Sequence, residues 1–311
     1  MISCTEFIPS YSELFSYLDE HYGHEEVERF WTYLFEPTGK GIPLINYAKR
    51  DGLKGCFEYW NGTLSEEAAD CTRYANLEEG WILSEMHYCP SKGRLLELEK
   101  ELGIQPYYDY CSHCDYYRTA IEMVGLKWVR FHQHVDKASC SNLLYDPKIF
   151  KGIVKVNDKT TILEINSRDR EYFHPDFHSS LNMGLAYVGD KFGKEVLVDY
   201  LTRYTQNVYR KVMETAGTEG LAVIERKVLD TYAKEKAADA VKTELTADGL
   251  TVSVSYCPAV RHLHKTGREV TKWYPYSTSV IMSVLAEAAG YQFAMDSYDE
   301  ETGAAQYRFF K

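Results

Sequence analysis

MHYCPSKGRL at Met86–Leu95 returns as VSYCPAVRHL at Val254–Leu263. A Tyr-Cys-Pro turn used twice marks a chain built from one unit present in two copies. Other anchors keep nearly the same offset. Cys89 to Cys257 is 168 positions, Gly23 in EHYG to Gly193 in DKFG is 170, and Gly125 in EMVG to Gly290 in EAAG is 165. Offsets this close need only small insertions to align, which chance repeats of a tripeptide would not produce. Duplication has a physical use, since two halves too small to cover their own apolar faces can bury them together.

Both copies follow one order of elements. In the first, helical spacing runs over Tyr11–Tyr22 and His24–Phe35, with Val27, Phe30, Trp31 and Leu34 on one face and Gly23 between the two. After the stretch Pro37–Pro43 a third helix reaches about Arg50, and Gly52 and Gly55 break it before turns at Cys56–Asn61 and Leu64–Ala69. Strands follow at Cys71–Ala75 and Trp81–Tyr88, the second stopped by Cys89-Pro90. Helical spacing then covers Ser91–Leu102 and Cys111–Val124, with closing strands at Leu126–Val135 and Ser139–Tyr145.

The second copy begins its helices at His174-Pro175-Asp176, running to about Lys191. Helices over Lys194–Thr215 and Thr218–Lys236 follow, with Gly193 and Gly217 as separators. A strand at Thr251–Tyr256, a helix at Ser277–Ala289 and strands at Tyr291–Met295 and Gln306–Phe310 complete it. The expected fold class is α+β, two tandem copies of a helices-then-antiparallel-sheet unit packed with pseudo-twofold symmetry. The expected division is residues 1–147 for the first copy, 148–173 for a structured connector carrying the apolar run Thr161–Ile165, and 174–311 for the second copy.

Composition bounds what such a chain does. It has 311 residues, 45% hydrophobic and 26% charged, with a formal net charge of −11. No apolar run approaches the roughly 20 residues that span a bilayer, and the N-terminal MISCTEFIPSYSEL lacks the pattern of a secretion signal. A cytoplasmic location with no membrane partner is the expectation. The acidic balance, without a Lys/Arg stripe, argues against nucleic acid. Eight cysteines in such a chain read as reduced thiols, metal ligands or catalytic groups rather than a disulfide framework. The 26 tyrosines suit the core first and a ligand pocket second. Internal pseudo-symmetry leaves a homodimer open, because it either replaces a dimer or supplies half of a larger one.

Reactive side chains fall in two clusters. YCSHC holds Cys111, His113 and Cys114, with Cys89 one helix upstream and His132, His134 and Cys140 on the strands that follow. Cysteines three apart at a helix start lie close together, and the helix N-terminus favours their thiolates. Cys89, Cys111, Cys114 and Cys140 are the simplest tetrahedral ligand set, for which zinc is the expected cofactor. Nucleophilic or redox use, and plain packing of a sheet, are the other readings. The matching segment of the second copy is WYPYSTSV, Trp273–Val280, and the match of Cys140 falls near Ala305, so only Cys257 is retained. The second copy instead carries HPDFH at His174–His178, then His262 and His264 after Cys257. His174 and His178 are four apart and would share one helix face, a spacing suited to metal ligation or acid/base work, with Asp176 also a cap candidate. An imidazole beside Cys257 would make an exposed thiolate nucleophile at the strand-to-helix turn, whereas helix-capping, solvated histidines are the plain alternative. Lys92 binds a carboxylate at a helix start or is simply solvated.

CPSKG followed by YYDYCSHC resembles the L-2-amino-thiazoline-4-carboxylic acid hydrolase-like proteins, a bacterial family. HPDFH, CPAVRHL and YDEETG are similar to a sister group in which the unit is doubled. The order of elements also looks like the ligand-sensing domains related to vinyl reductases. The resemblance implies hydrolytic opening of a small cyclic amidine or thiazoline. That chemistry needs an activated water or thiolate, a proton donor and a cation for the substrate carboxylate. Cys89, Cys257, His178 and His262 are then the catalytic candidates, and Lys92, Arg261, His174 and Tyr276 the substrate-binding ones. A non-catalytic small-molecule-binding or metal-holding protein is the alternative.

Overall fold

The computed structural model describes residues 1–35 and 43–311, with His132 described by its backbone alone. The stretch 36–42 lies outside the described residues. The chain divides into two compact units. Leu18–His174 forms one, here the N-terminal unit, and Met1–Tyr17 with Pro175–Lys311 forms the other, the C-terminal unit. Residues 1–17 therefore group with the second copy, and the connector 148–173 groups with the first.

In the N-terminal unit the end of α1 (Phe7–Tyr22) leads into α2 (His24–Leu34), α3 (Leu44–Glu66), β1 (Asp70–Asn76), β2 (Trp81–Tyr88) and α4 (Pro90–Leu102). A 3-10 turn at Tyr110–Tyr116 then precedes α5 (Tyr117–Glu122), β3 (Lys127–His134), β4 (Ser139–Tyr145) and β5 (Thr161–Asn166). The C-terminal unit adds α6 (Phe177–Phe192), α7 (Lys194–Val208), α8 (Arg210–Glu219), α9 (Leu221–Lys234), β6 (Val241–Leu245) and β7 (Gly249–Val254). It ends with α10 (Pro258–Lys265), α11 (Tyr276–Ala288), β8 (Gln292–Tyr298) and β9 (Ala305–Phe310). Helices first and an antiparallel sheet after is thus the order in both.

The sequence anchors have conformational causes. Gly23 and Gly193 stand at the N-caps of α2 and α7 with φ of 85° and 90°, a region that side chains with a Cβ avoid. Cys89 and Cys257 both have extended backbone, and each is followed by a proline at the first helical position, where the missing N–H costs nothing.

Both sheets are wholly antiparallel, ordered β3-β4-β2-β1-β5 in the N-terminal unit and β6-β7-β9-β8 in the C-terminal unit. The second order is the first read from the other end without β5. The connector therefore supplies an extra edge strand, pairing Ile165 with Cys71 and Ile162 with Tyr74. Registers match across copies. Met86 faces Cys140 as Val254 faces Ala305, which confirms Ala305 as the counterpart of Cys140.

One row shows how the copies diverge. Arg73, Ser84, Asn142 and Arg130 lie side by side across the first sheet; their counterparts are Thr243, Val252, Tyr307 and Met295. Arg73 is 1% exposed. Its guanidinium donates to Ser84 Oγ at 3.1 Å, the Phe57 carbonyl at 2.8 Å and Asn61 Oδ1, and it lies over the Phe57 ring. It thus ties α3 to the sheet without a carboxylate. The adjacent core is apolar: Leu44, Ile45, Leu53, Cys56, Ile82, Ile121 and Leu144, with Trp60 stacked on Trp128 at 5.2 Å.

Three expectations need correction. The turns at Cys56–Asn61 and Leu64–Ala69 are for the most part helix, because α3 kinks at Gly52 (φ 57°, ψ −130°) and then resumes to Glu66. Burial of Leu53 and Cys56 offsets the glycine penalty of about 1 kcal/mol. In the second copy α7 ends at Val208, and Gly217 lies inside α8. Gly220, with φ of 72°, is the separator there. The segment from Cys111 is a 3-10 turn before it becomes α-helix. No helix among the described residues is long and apolar enough to cross a membrane.

Candidate functional site

The tightest gathering of metal-ligating atoms among the described residues is Cys4, His178 and Glu235 in the C-terminal unit. Their ligand atoms all lie within 4.8 Å of one another. Each comes from a different piece of chain. Cys4 opens a 3-10 turn at Cys4–Glu6 fixed by Ser3, whose Oγ and backbone N–H both donate to the Glu6 carboxylate at 2.9 and 3.3 Å. Lys227 Nζ donates to the same carboxylate at 2.8 Å. Burial pushes the Glu6 carboxyl up, but the Lys227 charge and hydrogen bond outweigh it and bring it down to about 2. His178 is the second residue of α6, and Glu235 is the C-cap of α9.

Glu235 joins the three. The Cys4 backbone N–H donates to its Oε1 at 2.5 Å, and His178 Nε2 lies 2.9 Å from its Oε2. Exposures of 0% for Cys4, 1% for His178 and 5% for Glu235 place the group in the interior. Burial alone would raise the Glu235 carboxyl; the His178 hydrogen bond and charge, with the Cys4 amide, lower it below the ordinary carboxylate value. An imidazole nitrogen, a thiol and a carboxylate together form a donor set suited to a borderline-soft divalent ion such as zinc, or to proton transfer between sulfur and imidazole.

Cys257 borders this group, close enough for Glu235 to act on its thiol, and its Sγ lies 3.3 Å from Met1 Sδ. It is 5% exposed, which corrects the expectation of an exposed edge thiolate, and burial pushes the thiol up. Tyr232, Tyr274, Tyr298 and Tyr307 all lie close enough to couple electrostatically with it. The buried Tyr274 hydroxyl has no hydrogen-bond partner among the described residues.

His174 and His178 do not share a helix face. α6 begins at Phe177, so His174 lies before it in the N-terminal unit, with Nδ1 2.7 Å from Glu66 and Nε2 4.0 Å from Glu67. Asp176, at the N-cap of α6, makes no side-chain cap; His262 Nε2 lies 2.8 Å from its Oδ1 instead. Arg261 stacks 3.3 Å above the Tyr256 ring, and Tyr276 sits 5.7 Å from Trp273.

In the N-terminal unit Cys89, Cys111, Cys114 and Cys140 converge closely enough for their thiols to be electrostatically coupled. They are not a set whose ligand atoms all lie within 4.8 Å. The His113 ring nitrogen Nε2 is 3.6 Å from Cys114 Sγ, and its Nδ1 bonds the Tyr110 carbonyl. Burial pushes Cys111 up to about 11 and both Cys114 and Cys140 up to about 12. The expected helix-stabilised thiolates are therefore thiols, because the 3-10 turn offers a short dipole while desolvation acts in full. The His132 side chain lies outside the described residues.

Cys4 and Glu235 escape sequence reading. A faint signal exists for Glu235, since a glutamate four residues before Asp at a helix end recurs in EEAAD (Glu66–Asp70) and EKAAD (Glu235–Asp239). Nothing comparable marks Cys4. Comparison with protein-family models, with curated proteins and with solved structures gives no match to the chain.

Proposed function

We propose that Cys4, His178 and Glu235 hold a divalent metal ion, with zinc the best fit to the donors. The protein is then a hydrolase that opens a small cyclic amidine or thiazoline C–N bond. The carrying observation is the convergence of three ligand types, from three elements, within 4.8 Å in the interior. Three protein ligands leave a fourth position for water, the pattern of catalytic rather than structural zinc. A bound ion there would supply an activated water. The unpartnered Tyr274 hydroxyl beside Cys257 is a hydrogen-bonding group left for a ligand. In this reading Cys257 and His262 flank the reacting centre, and Arg261 and Tyr276 bind the substrate.

A second reading is metal-holding without turnover. It draws on the closed surroundings, in which Glu235 already accepts from Cys4 and pairs with His178. Metal analysis of chain purified without chelator, paired with a turnover assay on 2-amino-thiazoline-4-carboxylate, tests both. About one ion per chain, lost in His178→Ala and kept in the Cys111→Ser/Cys114→Ser double variant, supports the assignment. Product formation that vanishes with the ion supports the hydrolase, and a bound ion without product supports the holding role. Metal-free wild-type protein overturns both, and an ion lost only from the double variant would move the centre to Cys89, Cys111, Cys114 and Cys140.

A further inference from the structure

We infer that strand β5, at one edge of the N-terminal sheet, pairs with β5 of a second copy of this chain, antiparallel about a twofold at Ile162, to make one continuous ten-stranded sheet. Among the described residues the two sheets have four edge strands, β3, β5, β6 and β8. An edge offers unpaired backbone groups to any other strand, and proteins blunt it with bulges or charges. β3 begins with Lys127 and shifts register between Arg130 and His132, and β8 shifts between Met295 and Ser297. β6 carries Lys242 and Glu244 within five residues. β5 has none of these devices. It runs in unbroken register along β1, contains no proline and holds one charge, Glu164.

The backbone groups on its free side can be assigned. The Ser167 N–H donates to the Ala69 carbonyl at 3.0 Å, which continues the register that sets Asn166 opposite Asp70. Hydrogen-bonded pairs alternate along an antiparallel ladder, so Thr161, Leu163 and Ile165 turn their backbone groups to β1, while Ile162, Glu164 and Asn166 turn theirs to the open edge. Those last three residues are exposed, Ile162 by 52%.

One face of the sheet carries an apolar row that ends at this edge. Val129, Leu143, Leu83, Tyr74 and Ile162 lie side by side across all five strands. They stand one step from the buried Arg73 row and so on the opposite face. Val129 is exposed and the three central residues are half-buried. The matching row of the C-terminal sheet is Ala294, Arg308, Thr251 and Glu244, so the backbone plan does not require this face to be apolar. A twofold at Ile162 sets Ile162 against itself and carries the row unbroken through ten strands.

Charge selects a second copy as the occupant. The connector running into β5 carries Lys148, Lys151, Lys155 and Lys159 against Asp146 and Asp158, whereas the strand itself carries Glu164. Antiparallel self-pairing brings Glu164 of each copy to the basic approach of the other, and an isologous contact makes that match twice. A six-residue edge is about 20 Å long. Such a contact buries on the order of 1,000 Å² in total, the lower bound for a specific interface, so the dimer is weak and concentration-dependent. This inference is independent of the metal reading, since it is read out by mass without turnover or metal.

The test is sedimentation equilibrium of the full chain across its micromolar range, on wild type, Ile162→Lys and Val129→Lys. Expected is a wild-type dimer with Kd on the order of 10 µM, weakened about tenfold or more in Ile162→Lys and kept within about threefold in Val129→Lys. Opposed residues of a hydrogen-bonded pair have Cα atoms about 5.5 Å apart, within disulfide reach. Ile162→Cys should therefore cross-link into a covalent dimer under copper–phenanthroline oxidation, and wild type should not. A wild type that stays monomeric overturns the second copy as occupant. Equal dimerisation by Ile162→Lys, loss of the dimer in Val129→Lys alone, or no cross-link through Cys at 162 would overturn the β5 pairing.

Discussion

At the strand-to-helix turn of the N-terminal unit Cys89 is followed by Pro90 and the buried Lys92; at the same turn of the C-terminal unit Cys257 is followed by Pro258 and Val260. The sheets differ in the same sense, with Arg73, Ser84, Asn142 and Arg130 in one row of the first and Thr243, Val252, Tyr307 and Met295 in the second. Buried acids occur in both, Glu26 with Arg29 in the N-terminal unit among them. In the C-terminal unit Glu6 pairs with Lys227, Glu13 with Arg203 and Glu235 with His178. One backbone plan therefore tolerates interiors with different polar side chains at matching positions. Backbone hydrogen bonds and the apolar core set the plan, whereas side chains at a few register positions set the charge.

Arg73 is where that contrast breaks most sharply. Arg73→Met strands the Ser84, Phe57 and Asn61 acceptors, so it should cost about 3 kcal/mol in urea unfolding, whereas Thr243→Val at the matching position should cost about 1 kcal/mol or less. Equal costs would show that the polar row holds nothing together.

Acid should next separate the units. Burial brings the His113 imidazole down from 6.5 to about 4. A folded value below the unfolded one means its contribution is present above pH 6.5 and lost as pH falls toward 4. Discounted for partial exposure, that amounts to about 2 kcal/mol. Glu6, held down to about 2, contributes above pH 4.5 and loses it between 4.5 and 2. Hydrogen exchange followed by unit should show the wild-type advantage over His113→Gln shrinking between pH 6.5 and 4 in residues 18–174. The advantage over Glu6→Gln should shrink only below pH 4.5, in the other unit. A His113 effect flat with pH would refute the buried neutral imidazole.

The turn before the last strand gives a smaller contrast. Gly303, with φ of 66°, stands where the N-terminal unit has Ala138, with φ of 51°. A Cβ at Gly303 would lie 2.4 Å from Cys257 Cβ, so Gly303→Ala should cost about 2 kcal/mol by thermal unfolding. Ala138→Gly is the smallest effect. Relief of a left-handed backbone, roughly 1 kcal/mol, nearly cancels the loss of a buried methyl, about 0.8 kcal/mol. A shift above about 1 kcal/mol in either direction would contradict that balance.

How much of this was legible depends on range along the chain. The repeat, the antiparallel strands at Cys71–Ala75 and Trp81–Tyr88, the Pro-initiated helices and the helix-breaking Gly23 and Gly193 are local or pairwise signals, and they hold. Helix continuation past Gly52 does not show in the sequence, because burial of Leu53 and Cys56 decides it from outside the segment. Cys89, Cys111, Cys114 and Cys140 could be gathered by reading, since they share one unit. Cys4 and Glu235 could not, being 231 positions apart.

By itself the sequence determined that one α+β unit is used twice, since periodicity, proline and glycine act on nearest neighbours along the chain. Only the tertiary structure decided which copy owns which side chain. Residues 1–17 fold with 175–311, so Cys4 meets His178 and Glu235 while His174 joins Glu66 and Glu67 in the other unit. The physical reason is that a buried carboxylate selects its partners through space: hydrogen bonds of 2.5 and 2.9 Å to Glu235 depend on distance in the fold, to which separation along the chain is blind.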